Sequence, residues 1–275
     1  MDLSEITPLI LTYNEQENIG RTLELLRWAG RVVVVDSYST DGTLGIIERF
    51  SNVEVVQRAF DDFAQQCNFG LTHVRTPWVL SLDADYLCPH EAIEEIAAVR
   101  PDAKAYRSKF QYAIYGRVLG GTLYPPRPCL FRTASYRYVQ DGHAHRLDTG
   151  SDLIGSLRTP LIHDDRKPLS RWLQSQRRYA EMEAAKLSRL PKGQGGWKSR
   201  LRRMIWVAPF LNLVYCLFYQ RLILNGWRGI YYSFQRMYAE LLLSLELLDR
   251  RLLTAPLSEQ TERSRTAVQE ESSTL

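Results

Sequence analysis

Two aspartates one residue apart, Asp83 and Asp85, follow the apolar run Trp78-Val79-Leu80. Carboxylates are hard oxygen ligands suited to Mg2+ or Mn2+, and an ion held there would also meet the phosphates of a substrate. Alternation along a strand lets both side chains project the same way, one toward sugar hydroxyls and one toward metal. Two like charges this close also repel each other, and leaving water costs each of them more. Either a positive partner or open solvent must account for the pair. A second cluster, DSYSTDGT from Asp36 to Thr43, closes a run of four valines. Asp36 there can meet a base or ribose hydroxyls, or act only as a turn former. Asp41, or Thr40 before it, can cap a following helix, with Gly42 easing the turn.

The elements that must position these groups follow from periodicity. Residues 6–11 are a short apolar run, and 15–28 have helical spacing through Ile19, Leu23 and Leu26. Residues 32–35 are continuously β-branched, the pattern of a strand buried on both faces. A helix over 41–50, a strand over 53–56, a helix over 60–74 and a strand over 78–82 complete the front. This β-α-β-α-β-α-β order predicts an α/β fold, a mostly parallel twisted sheet with helices on both faces. Ligands bind such sheets at the carboxyl ends of the strands. TYNEQEN, DSYSTDGT and DADYL follow three of the four strands at that edge. Residues 101–165 are less regular and carry His143, His145 and His163. After Pro168 the reading is helical to about residue 253, and the polar tail over 254–275 is expected to be disordered.

Four cysteines without a CxxC pair argue against a disulfide framework and a structural zinc site. The first residues show no basic-then-apolar export pattern, so the chain is expected to stay in a reducing compartment. The net charge of +4 conceals an asymmetry. Residues 1–165 hold 16 basic and 22 acidic residues, whereas 166–251 hold 17 basic and 5 acidic. An acidic front and a basic rear suggest two different tasks.

ILTYNEQENI, VVVVDSYSTDGT and LSLDADYL, in this order, resemble the GT-A nucleotide-diphospho-sugar fold of the family 2 inverting glycosyltransferases, over about residues 1–100. More loosely, PRPCLFR, GHAHRL, PLIHDD and RWLQSQRRYAEMEAAKL resemble the bacterial branch that includes lipopolysaccharide inner-core β-1,4-glucosyltransferases. The resemblance implies that Thr12, Asn14 and Glu15 lie around the nucleotide and that Asp36 binds the base. Gln65 and Asn68 would lie near the donor. Asp83 would hold the ribose or sugar, and Asp85 the Mg2+ or Mn2+. Where that branch commonly reads His-Glu, this chain has His145-Arg146. Inverting transfer needs a base beside the acceptor hydroxyl and a cation on the leaving diphosphate. Asp141, His143 and His145 remain as candidate bases, Asp141 and His145 foremost, unless they are surface residues of a loop. His163 either completes the metal site or is structural. Arg127 and Arg132 either meet phosphate or form surface ion pairs.

In the rear half, residues 204–224 are nominally long enough for a bilayer span, but Pro209, Asn212, Gln220 and Arg221 interrupt them. Trp197, Trp206, Trp227, Tyr231 and Tyr232 are rings of the kind that settle at a headgroup boundary. Paired helices lying in an anionic membrane surface are expected, with an inserted segment or a core or oligomer contact as alternatives. Nucleic acid is not an expected partner, because the apolar content is too high for a solvated phosphate-binding face.

The expected organisation is a GT-A catalytic domain over 1–165, its nucleotide-sugar half about 1–100 and its acceptor half about 101–165. A basic, amphipathic helical membrane-associating region over 166–253 and the tail over 254–275 follow. The expected activity is metal-dependent, inverting sugar transfer from a nucleotide-diphosphate-sugar to a hydroxyl of a membrane-associated glycan or glycolipid. Lipopolysaccharide core or polyprenyl-linked glycan assembly is the expected setting, with the protein peripheral or monotopic at the cytoplasmic face of the inner membrane. The alternatives are a polyprenyl-phosphate sugar synthase and an inactive nucleotide-sugar-binding scaffold.

Overall fold

Val32 to Val35 are completely buried along both faces of their strand, which requires a layer on each side of the sheet. A computed structural model describes residues 1–141, 144–189 and 197–254; His143 and the tail beyond residue 254 lie outside the described residues. The front of the chain runs β1 (Ile6–Thr12), α1 (Ile19–Glu24), β2 (Val32–Asp36), α2 (Thr43–Ile47), β3 (Val53–Gln57), α3 (Phe63–His73) and β4 (Trp78–Asp83). The expected order is therefore present, with α1 and α2 shorter than the periodicity suggested. After β5 (Tyr86–Leu87) and α4 (His90–Ala98) come β6 (Ala105–Ser108), β7 (Phe110–Ile114), β8 (Arg117–Val118) and β9 (Arg127–Arg132). β10 (Tyr138–Asp141), β11 (Ala144–Leu147), β12 (Ile154–Ser156) and β13 (Leu161–His163) complete the strands.

The main sheet has seven strands in the order β12-β6-β9-β4-β1-β2-β3. β1 pairs in parallel with both β2 and β4, and β9 is antiparallel to its neighbours β4 and β6. Alternation divides the strands between two layers. Ile6, Ile10, Val32, Val34 and Leu80 pack with Ile19 and Leu23 of α1 and Ile93 and Ile96 of α4. Leu9, Val33, Val35 and Val79 pack with Ala64, Cys67 and Leu71 of α3. Register then sets the site: Thr12 lies opposite Asp36, and Leu11 opposite Asp83, so β1, β2 and β4 end at one edge. A smaller sheet, β5-β13-β7-β8, and the β10–β11 hairpin stand beside that edge.

The rear half comprises α5 (Leu169–Arg189), α6 (Trp197–Arg202), α7 (Ala208–Val214) and α8 (Gly226–Thr254), with a π-helical turn over Tyr215–Tyr219 and a 3-10 turn over Leu222–Asn225. The unbroken helical reading is corrected here. Pro209 opens α7, Arg221 has a left-handed φ of 54°, and Gly226 has a φ of 59°. Among the described residues no helix is long and apolar enough to cross a membrane. Arg202 is drawn inward, 3.1 Å from both Glu183 of α5 and Glu240 of α8, and is not held out toward lipid.

α8 starts against the preceding turn, and a Cβ on Gly229 would stand 1.8 Å from the Leu222 carbonyl oxygen. Backbone cannot retreat as a side-chain tip can. Gly229→Ala is expected to cost about 1–3 kcal/mol by overpacking. Gly45→Ala, with nothing within 4 Å of the added carbon, is expected to be neutral or to stabilise by up to about 1 kcal/mol. Urea denaturation of the two variants checks both, and equal midpoints would show that the α8 contact yields.

Candidate active site

The loop after β2 is organised by Asp36, whose carboxylate is fully buried. Its oxygens accept from Thr12 Oγ1 at 3.0 Å, Ser39 N at 2.9 Å, Gln57 Nε2 at 3.1 Å, and the Ser39 hydroxyl. Both lone pairs of each oxygen are thus engaged. Asp36, expected to meet the base, stands at this edge, and its carboxylate organises the loop. Thr12 is spent on the same bond. Asn14, at a left-handed φ of 55°, crosses to the same loop, its Oδ1 accepting from Thr40 N at 2.7 Å. Asp41 Oδ1 accepts from Thr43 N at 3.0 Å at the start of α2. Among the groups left open at this mouth are the rings of Tyr13 and Tyr38, each about half exposed.

Around Asp85 the structure assembles charges of both signs. Asp85 is 8% exposed, and its Oδ2 lies 3.2 Å from His163 Nε2 on β13. Burial opposes ionisation of Asp85, but His163 and Lys167 outweigh it and hold the carboxyl well below the usual carboxylate range. Burial also opposes protonation of His163, and Asp85, Asp83 and Asp165 reverse that, leaving its pKa raised. Lys167 Nζ donates to Glu15 Oε1 at 2.6 Å and lies 3.5 Å from Asp165. Asp85, Glu15 and Asp165 lift the Lys167 pKa against its burial. Burial pushes the Glu15 carboxyl up to about 7, with Asp85 adding to the rise and Lys167 resisting it. Glu15 Oε2 accepts from Asn18 Nδ2 at 2.8 Å, and the same amide donates to Asp165 at 2.9 Å. Asp164 is closed off by Arg21 and Arg166, each 2.8 Å away.

Asp83 faces a cavity of about 300 Å3 that is also lined by Arg127, Tyr138, His145 and Arg146. His145 sits on β11 between the rings of Phe63 and Tyr138, at 5.7 and 5.1 Å. Burial pushes its pKa down, Asp83 pulls it up, and Arg127 adds to the fall. Asp141, the other foremost candidate base, is not among the residues lining this cavity: its side chain is 48% exposed and lies 2.6 Å from Lys186 Nζ of α5. Arg132 lies over Trp78, its Cζ 4.8 Å from the ring centroid. Gln65 points outward, as the spacing of Ala64, Cys67 and Leu71 along α3 already implied. Its neighbour Gln66 is the buried one, donating to Ser37 Oγ at 2.9 Å. Asn68 clamps the backbone of Tyr138 through bonds of 2.8 and 2.9 Å, and so fixes a cavity wall.

A boundary at residue 165 cuts this site in two. Lys167 belongs to it, Arg171 of α5 donates to the Asn14 carbonyl at 2.6 Å, and Lys186 reaches Asp141. Sequence reading missed Asn18, Gln66, Lys167 and Arg171. Lys167 carried one local signal, its place three residues after the Asp164-Asp165 pair's first member.

Among the described residues no three or more His, Cys, Asp and Glu side chains converge into a cation cage. The donor set is of another kind. Asp85 Oδ1 and His163 Nδ1 are buried without a hydrogen-bond partner. Mg2+ or Mn2+ is commonly held by one or two carboxylates together with substrate phosphates, and Asp85 fits such a shared ion.

Residues 9–117 match the family profile described as Glycosyl transferase family 2. Over 222 residues the chain is 23% identical to the lipopolysaccharide core biosynthesis glycosyltransferase LpsC of Rhizobium meliloti (strain 1021), covering 76% of this chain and 80% of that protein. It is 30% identical over 134 residues to the SPbeta prophage-derived glycosyltransferase SunS of Bacillus subtilis (strain 168), covering 48% of this chain and 32% of that one. Among solved structures, S. aureus TarS 1-349 in complex with UDP-GlcNAc is similar over 84% of this chain and 90% of that one, at 16% identity and a TM-score of 0.45.

Lys167 is the cation on which the buried carboxylates converge, so Lys167→Met is expected to destabilise the protein by about 3–5 kcal/mol near neutral pH, the usual cost of stranding a buried charge. The folded pKa of Glu15, about 7, lies above its ordinary 4.5. The fold therefore binds that proton more tightly than the unfolded chain does. Stability from this group is full below the unfolded value and is lost as pH rises through the folded one. Removing Lys167 steepens that loss, so the deficit of the variant should shrink on acidification toward pH about 4.5. Urea denaturation across this range measures it, and a deficit independent of pH would rule out Glu15 as the stranded partner.

Proposed function

We propose that this chain, a glycosyltransferase whose residues 9–117 form a family 2 domain, moves a sugar with inversion from a nucleotide-diphosphate donor to a hydroxyl of a membrane-associated glycan or glycolipid. The observation that carries this reading is the meeting of Asp83 and His145 in one cavity of about 300 Å3, beside a buried Asp85 with an unpartnered oxygen. Asp83 is suited to hold sugar hydroxyls, and the exposed rings of Tyr13 and Tyr38 offer stacking surfaces to a base. Mg2+ or Mn2+ on Asp85, with His163 beside it, would supply positive charge to the departing diphosphate.

The chain's own groups account for the rest of the displacement. The acceptor oxygen bonds to the anomeric carbon as the bond to the diphosphate breaks, and that electron pair leaves with the phosphate. The acceptor proton passes to a base. His145, whose pKa burial lowers, lines the cavity that Asp83 faces and is placed for that role, whereas Asp141 is engaged by Lys186. Arg127, partly buried at the cavity wall, is a further positive group near the leaving charge. The similarity to LpsC supports an acceptor of the lipopolysaccharide-core kind. On this reading the reaction takes place at the cytoplasmic face of the inner membrane.

A thermal-shift panel of nucleotide sugars with Mn2+ identifies the donor, since ligand binding raises apparent stability. With that donor, His145→Ala is expected to lower turnover by about two to four orders of magnitude at unchanged donor affinity, and Asp141→Asn to stay close to wild type. Undiminished turnover in His145→Ala would move the base elsewhere, or make the acceptor an already ionised phosphate.

Asp85→Asn should remove the Mn2+ dependence of nucleoside diphosphate binding in calorimetry, while the fold persists. A dependence that survives the substitution would place the ion on other residues.

A further inference from the structure

Twelve large hydrophobic side chains stand exposed within the 24 residues 204–227. Val207, Phe210, Leu211, Val214, Tyr215 and Phe218 recur at helical spacing, so one whole face of α7 and the turn after it looks outward. Ala208, Cys216 and Leu222 form the opposite, buried side. Trp206 and Trp227, 81% and 85% exposed, lie near the two ends of the stretch. Single exposed apolar residues need no explanation, but a contiguous face of this kind marks an interaction surface.

Charge narrows the occupant. Residues 184–239 contain ten Lys and Arg and no Asp or Glu; Lys186 and Arg202 are spent on Asp141 and on Glu183 and Glu240, and Arg221, itself exposed, is the sole charge between 204 and 227. Packing this face on a second copy would bring two like-charged surfaces together, since a two-fold interface apposes the same patch. An anionic bilayer complements it. A full crossing does not fit: α7 has seven residues, a rise of about 10 Å, against roughly 30 Å of hydrocarbon.

We propose that residues 204–227 are a membrane foot that sinks its apolar face into the surface of an anionic bilayer, with Trp206 and Trp227 at the headgroup boundary and Arg221 on lipid phosphate. The foot is fixed to the catalytic half. Cys216 and Leu222 pack with Tyr232 against Ile114 and Leu119. The Tyr232 ring lies 4.8 Å from Tyr112, whose ring is 4.5 Å from His163. Two ring contacts therefore lead from Tyr232, packed behind the docked face, to His163, and a glycolipid acceptor standing in the same bilayer would present its sugars on the side of that pair.

The test uses the full chain and no donor, so it is independent of the catalytic reading. The protein is expected to sediment with vesicles of phosphatidylcholine and phosphatidylglycerol more than with phosphatidylcholine alone, and less in high salt, because screening removes only the electrostatic part. The triple variant Phe210→Ser, Phe218→Ser, Trp227→Ser changes side chains that are each more than 60% exposed, so its melting temperature should be unchanged. Its partition onto the mixed vesicles should fall by about a hundredfold or more, a buried ring being worth roughly tenfold each. Brominated acyl chains should quench the tryptophan fluorescence of the wild type, and Trp206→Phe, Trp227→Phe should bind vesicles while losing most of the quenching. A wild type that ignores mixed vesicles, or a triple variant that binds them as the wild type does, overturns the proposal. So does a concentration-dependent dimer that the triple variant abolishes, which would assign the face to a second copy.

Discussion

Lys167 Nζ stands 2.6 Å from Glu15 and 3.5 Å from Asp165, with Asp85 the first of the charges that raise its pKa. Carboxylates from three separate parts of the chain can share a buried edge only if cations enter with them, because each unpaired charge would forfeit several kcal/mol of hydration. The segment from His163 to Arg171 brings those cations. His163 meets Asp85, Arg166 meets Asp164, Lys167 meets Glu15, and Arg171 meets the Asn14 carbonyl. Asn18 ties the two layers together, donating to Glu15 and Asp165 and accepting from Arg21 and Arg166 N. The return of the chain after β13 is thus a condition for the site and not an appendage to it.

That dependence explains what the sequence disclosed and what it withheld. The front sheet was readable because burial on two faces leaves a local trace: the valines of β2 and the apolar run of β4 have no other stable placement in water. The carboxylates at strand ends were readable for the same reason, since a polar cluster directly after a buried run must emerge at the sheet edge. Their neutralising partners leave no such trace. Lys167 acts on Glu15 from 152 residues away, and nothing in the composition of either neighbourhood encodes the pairing. The same gap hides the partner of Asp141, since only the path of α5 reveals that Lys186 reaches it.

In the rear half the structure corrects the unbroken helical run. Its basic, aromatic composition suggested long helices laid on a membrane, but composition does not say which charges are spent internally. Arg202 joins Glu183 and Glu240 and so staples α5, α6 and α8 around Ala184, Leu187, Ile205 and Leu243. With those charges drawn inward, the breaks at Pro209, Arg221 and Gly226 turn residues 204–227 outward as a short face. α8 stands behind it as a strut and exposes apolar side chains of its own, among them Phe234, Leu241 and Leu245.

Both halves therefore meet on one set of side chains. α5 crosses the mouth of the sheet edge, its Arg171 bonded to the β1–α1 loop and its Lys186 to β10, and burial raises the pKa of the Tyr179 hydroxyl between them. α8 supports α5 from behind and carries Tyr232 to Tyr112. A displacement of the 204–227 face would be felt first at Leu222, where Gly229 admits no slack, then at Tyr232 and Tyr112, and then at His163. Close-packed contacts of this kind transmit strain instead of absorbing it. The geometry of Asp85 and His163 is accordingly held from two directions, by the charges of the His163–Arg171 return and by the packed rings that lead out to the exposed face.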